Sequence, residues 1–100
     1  MATKKKLPYV VIRAAQAGCF AGELDSRPSE TSVILRSARR LWYWSGAASL
    51  SQLANEGVSD PRNCKFPPAV ERQEIIGVIE ILDATEKARA SIAGVPEWRA

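Results

Sequence analysis

YVVIRAAQAGCFAGELD, residues 9–25, is the stretch on which the fold turns. Its run Val10-Val11-Ile12 reads as a strand over residues 9–14, because side chains branched at Cβ suit a pleated surface better than a helix. Ala15-Gln16-Ala17-Gly18 supplies a glycine-containing turn of hairpin length, and residues 19–25 return as a second strand. In that return strand Phe20 and Leu24 share a face with Gly22 between them, a pattern that suits close approach by another backbone.

Upstream, residues 1–6 carry Lys4-Lys5-Lys6 ahead of any patterned segment and read as a basic flexible tail, leaving residues 7–100 as a single domain. Downstream, residues 26–30 form a polar connection around Pro28 and residues 31–35 restart the β pattern. Residues 36–38 either break or bend that strand, and residues 39–44 are again rich in residues that suit a sheet. Ser45-Gly46 ends the pattern. Ser49 and Gln52 then form a capping box that predicts a short helix, with Leu50, Leu53 and Ala54 as its buried stripe and Gly57 as its stop.

Residues 58–68 read as loop, broken by Asp60-Pro61 and Pro67-Pro68. Residues 74–82 are apolar at nearly every position, which predicts a central strand covered on both faces, with Gly77 marking a bulge. Asp83-Ala84-Thr85-Glu86 signals a second helix with a narrow face of Ala84, Ala88, Ser91 and Ile92, stopped by Gly94. Trp98 is too large to leave in water and is expected to pack on the sheet or on a neighbouring subunit. The fold class expected is α+β, a small antiparallel sheet of about four to five strands with two short helices.

A hydrophobic fraction of 46% and a charged fraction of 25% are ordinary for a globular chain and argue against disorder. No apolar run approaches the roughly 18 residues of a membrane span, and no signal peptide opens the sequence, so a cytoplasmic protein without a membrane partner is expected. Cys19 and Cys64 stand too far apart for a metal motif and read as free thiols. Histidine is absent, as are nucleophile-elbow and phosphate-loop motifs, so neither an enzyme, a metal site nor a cofactor is expected.

The net charge of +3 is unevenly spread: through Trp44 eight basic residues face three acids, and the remainder is mildly acidic. That asymmetry points to an anionic partner for the first half. Residues 39–46 carry the matching chemistry. Strand alternation puts Arg40, Trp42 and Trp44 on one face and Arg39, Leu41 and Tyr43 on the other. Guanidinium grips phosphate and indole stacks on a base, while the amides of Ser45 and Gly46 are free to face an anion. The candidate ligand-binding residues are therefore Arg39, Arg40, Trp42, Tyr43, Trp44, Ser45 and Gly46, and the ligand expected is an anionic, nucleotide-like small molecule. Equally ordinary is a core of tryptophans lidded by arginine, and composition alone leaves the two open.

The segment ARRLWYWSGAASL, residues 38–50, resembles the signature of a family of small phage and prophage proteins of about this length. The likeness extends to Glu56-Gly57-Val58, Cys64-Lys65-Phe66-Pro67, Val78-Ile79-Glu80-Ile81, Thr85 and Val95-Pro96-Glu97-Trp98. In small size, a sheet with two helices and oligomeric pockets, the chain is also similar to viral sponge proteins that counter Thoeris and related bacterial immune systems. That resemblance implies a homo-oligomer that sequesters a nucleotide-derived signal, such as a cyclic ADP-ribose isomer or cyclic oligonucleotide, without cleaving it. Their ligand-binding residues have no one-to-one match here, so Arg40, Trp42 and Trp44 rest on their own chemistry. The function expected is thus a phage anti-defence accessory protein. The alternative is a virion-associated or host-takeover interaction module, since Arg, Trp and Tyr dominate protein interfaces. Nucleic-acid binding ranks third.

Overall fold

Strand β1 (Tyr9–Ala14) is apolar almost throughout because both its faces are covered. In the computed structural model, which describes residues 6–100, it pairs antiparallel with β2 (Gly18–Ser29) on one side and β5 (Val78–Asp83) on the other. Strand β3 (Ser32–Arg40) joins β2, and β4 (Val70–Ile76) joins β3, giving the antiparallel order β4-β3-β2-β1-β5. Alternation along β1 divides the interior in two. Val10, Ile12 and Ala14 meet Phe20, Val33, Leu35, Ala38, Ile75 and Val78 on one face. Tyr9 and Val11 meet Ala21, Leu41, Leu53, Ala54, Phe66 and Ile92 on the other, where the helices lie.

Both helices form where the capping residues place them. Helix α1 (Leu50–Glu56) starts at Ser49, whose hydroxyl accepts from the Gln52 amide, while the Gln52 side chain accepts from the Ala48 amide. Helix α2 (Glu86–Ala93) starts at Thr85, whose hydroxyl accepts from the Ala88 amide. The Ser49 and Thr85 hydroxyls satisfy amides that a helix leaves unpaired at its first turn, and the Gln52 side chain fixes the chain just ahead of α1. Among the described residues no helix is long and apolar enough to cross a membrane. The expected basic tail lies outside the described residues except for Lys6, which pairs with Glu86.

Three expectations are corrected. The apolar run at 74–82 is no central strand: it divides at Gly77 into β4 and β5, which occupy opposite edges of the sheet. Gly77, at φ 84°, is a corner that shifts the alternation by one, so that Ile75 and Val78 both turn inward while Ile76 and Ile79 stand exposed. The turns of both hairpins hold that corner, Thr31 accepting from the Gly77 and Val78 amides and Ala15 donating to the Gly77 carbonyl. Second, residues 26–29 are strand rather than connection; β2 runs through Pro28 because its far half is exposed and slips register against β3, leaving the missing amide without consequence. Third, β3 ends at Arg40; Leu41 keeps one amide bond to the Cys19 carbonyl, and residues 42–44 leave the sheet, with an isolated bridge from Tyr43 to Lys65.

Gly22 does mark a close approach. A Cβ there would sit 3.0 Å from the Arg36 carbonyl oxygen and 3.2 Å from the Ala38 Cα. Opposite it β3 bulges, since Glu23 pairs with Arg36 and Ala21 with Arg39, and the extra residue Ser37 takes a left-handed φ of 51°.

Tyr9 closes the helix-covered core at the lower end of β1, and burial pushes its phenol up to about 12, partly countered by Arg39 and Arg89. A folded-state pKa above the unfolded value of about 10 contributes stability that is whole below pH 10 and lost as pH rises towards 12. Urea midpoints of the native chain should therefore fall between pH 10 and 12 more steeply than those of Tyr9→Phe; parallel curves would remove Tyr9 as the cause.

Candidate functional site

The residues singled out at 39–46 do not gather on one face, because the strand that would align them stops at Arg40. Arg39 is 5% exposed and points into the helix-covered side of the sheet. Its guanidinium donates to the carbonyls of Ile92 at 3.0 Å, Val95 at 2.6 Å, Phe66 at 2.8 Å and Pro67 at 3.4 Å. Burial lowers its pKa, and the four carbonyls compensate by presenting negative dipoles to it. Arg39 is thus a clamp that ties the end of α2 and the segment after it to residues 66–67 and lies apart from the open rings of Trp42 and Tyr43.

Arg40 lies over the ring of Phe20 at 4.5 Å and donates to the Ala17 carbonyl, covering the end of the inner core. Trp44 is half-buried and packs against the helix-covered core. Ser45 and Gly46 also turn inward. The Ser45 hydroxyl donates to Asp60, whose carboxyl is held below its ordinary range by hydrogen bonds from Asn63 and Ser45. The Gly46 carbonyl accepts from the amide and hydroxyl of Ser59, and a Cβ at Gly46 would strike that same backbone. The Ser45 amide donates to the Cys64 sulfur at 3.4 Å, and together these bonds knit residues 45–46 to 59–64.

Trp42 and Tyr43 remain open, 59% and 50% exposed. Trp42 stacks on Trp98 with ring centroids 5.2 Å apart and planes inclined by 14°. Two short contacts bring Trp98 there: Phe66 bridges to Glu97, and the Trp98 amide donates to the Phe66 carbonyl. Tyr43 reaches the same place through paired bonds with Lys65. The Lys65 ammonium consequently lies 5.4 Å from the Trp42 ring, 5.8 Å from Tyr43 and 5.7 Å from Trp98. Among the described residues no carboxylate pairs with Lys65, and a void of about 360 Å³ is lined by Trp98 together with Pro67, Arg99 and Ala100. Trp98 therefore packs on another exposed ring, not on the sheet. Lys65 and Trp98 were not readable as partners of Trp42, since the two isolated bridges, Tyr43 to Lys65 and Phe66 to Glu97, join segments far apart in the chain.

The described residues hold free Cys19, half-buried, and Cys64, buried, and no group of three or more candidate metal ligands. Residues 7–92 match a family described as a domain of unknown function, DUF6948. The chain belongs to that family. The DUF6948 segment includes Trp42, Tyr43 and Lys65 and stops short of Trp98, so one of the two stacked indoles is contributed from beyond it. No curated protein and no solved structure matches the chain.

Proposed function

We propose that this protein is a binding module, without catalysis of its own, that takes a flat anionic ligand derived from a nucleotide onto Trp42, Tyr43, Lys65 and Trp98. One observation carries the proposal: three half-exposed aromatic rings converge on one ammonium that has no carboxylate partner. An indole face left in water gains about 1–3 kcal/mol when a base stacks on it, and the adjacent ammonium supplies charge for a phosphate. Within this proposal the biological role is sequestration of a nucleotide-derived immune signal by a phage accessory protein in the host cytoplasm. The platform is open on the single chain, so tight retention of a small ligand calls for a second copy to cover it.

Trp42 and Trp98 supply their own fluorescence signal. Titration with cyclic dinucleotides, cyclic ADP-ribose isomers and a short single-stranded oligonucleotide should quench it saturably. Trp42→Ala should weaken binding about 10-fold or more, the loss of one stacking contact. No binding tighter than about millimolar for any of these ligands would end the proposal. The openness of the platform favours a second function, a protein interface anchored by Trp42, Tyr43 and Trp98, because such rings form the centres of binding hot spots. Retention of one host protein by the native chain but not by Trp42→Ala, with nucleotides inert, would select it.

A further inference from the structure

Away from the aromatic platform, a cleft of about 250 Å³ opens between the Ser37 bulge and helix α2, lined by Tyr9, Glu23, Ser37, Arg39, Arg89 and neighbouring alanines. We propose that it is a binding site for a single oxyanion group, a carboxylate or a phosphate, held by Ser37 and Arg89 beside the buried charge of Arg39.

Arg39 is the first reason. More than nine-tenths buried, it has only neutral carbonyls as acceptors, and among the described residues no carboxylate lies within salt-bridge distance. Its Nε is buried with no partner at all. Buried charges are ordinarily neutralised by an opposite charge in contact; Arg39 feels Glu97 only from beyond salt-bridge distance, and with two arginines against Glu23 the lining of the cleft keeps a net positive charge.

Ser37 is the second. It holds a left-handed φ of 51° that glycine would hold without strain, and its exposed side chain stands at the cleft. Backbone strain kept at a polar residue is characteristic of sites that position a group for a ligand. Arg89 is the third. One Nη donates to Glu23 at 2.7 Å while the guanidinium lies 5.3 Å from the Tyr9 ring, which fixes its plane and leaves further donors for an incoming oxygen pair. Glu23, inside the same cleft, opposes an anion and competes for Arg89, so the native affinity should be modest and adjustable through that carboxylate.

Amide and guanidinium NMR of the full chain, titrated separately with inorganic phosphate and with acetate at constant ionic strength, tests the site. Saturable shifts are expected at Ser37, Arg89 and the Arg39 Nε–H, with the indole resonances unmoved. Glu23→Gln should tighten binding about threefold or more by freeing Arg89 and removing repulsion. Ser37→Gly should raise the melting temperature yet weaken binding about threefold, a pairing that a purely structural bulge does not give. Saturation by phosphate alone assigns the site to phosphoryl groups, and saturation by acetate as well assigns it to carboxylates too. Shifts that never saturate, or equal affinity in all three proteins, would overturn the proposal. The outcome is independent of the platform, since nucleotide binding there is read from indole fluorescence and this site from resonances at Ser37 and Arg89.

Discussion

Replacing Arg39 with methionine is expected to destabilise the chain by about 3–5 kcal/mol, because three short hydrogen bonds to a charged donor are lost at about 1–1.5 kcal/mol each, net of the desolvation that the buried charge no longer suffers. Ile92 and Phe66 each keep a backbone donor, from Val95 and Trp98, whereas no other donor reaches Val95 or Pro67 among the described hydrogen bonds. Methionine fills part of the volume but offers nothing to those oxygens. Lysine keeps the charge and lacks the planar fork, so Arg39→Lys should recover less than half of the loss. Against a typical total of about 5–15 kcal/mol, Arg39→Met places the fold near its limit. Urea unfolding measures it as a shifted midpoint at unchanged slope. A change under about 1 kcal/mol would mean that the four carbonyls find other donors and that the clamp is incidental.

The second large effect is at Gly57, which closes α1 at φ 79° and ψ −150°, a combination that side chains other than hydrogen strongly disfavour. A Cβ there would overlap the Cβ and Oγ of Ser91 on α2. Ser91 cannot simply withdraw, since its hydroxyl accepts from the Val58 amide at 3.0 Å and donates to the Val58 carbonyl at 3.2 Å. Gly57→Ala should therefore add backbone strain of about 1–3 kcal/mol to the separation of the two helices, for a total of about 4 kcal/mol. Ser91→Gly in the same chain relieves the overlap but not the backbone, and should return no more than half. Full rescue by Ser91→Gly would show that the dihedral is tolerated and that sterics alone require the glycine. Thermal unfolding of the single and double variants separates the two terms.

Local chemistry was readable in the sequence wherever neighbours in the chain are neighbours in space. β1 has the bounds expected from its β-branched run, and α1 and α2 begin at Ser49 and Thr85 because their caps act within three residues. Non-local partners were hidden. The sheet order depends on where Val70–Ile76 and Val78–Asp83 pair, and the apolar run spanning them does not distinguish a buried strand from two edges turned about Gly77. For the same reason the alternation through Arg40, Trp42 and Trp44 failed as a guide, since it holds only while the strand lasts. Trp42 and Tyr43 are exposed, but their companions Lys65 and Trp98 come from segments joined by two isolated bridges.

The turn at Gly77 also sets the order of assembly. Both outermost strands belong to one stretch of chain, so in a nascent polypeptide the β3 margin stays bare until residue 76 is free and the β1 margin, where Val10 pairs with Asp83, until residue 83. Two bare margins at once invite pairing with other chains, and closing so long a loop is slow relative to forming the hairpins. Both margins therefore wait on the last third of the chain, and the interval before it docks is when this polypeptide is expected to be most exposed to aggregation and to chaperones.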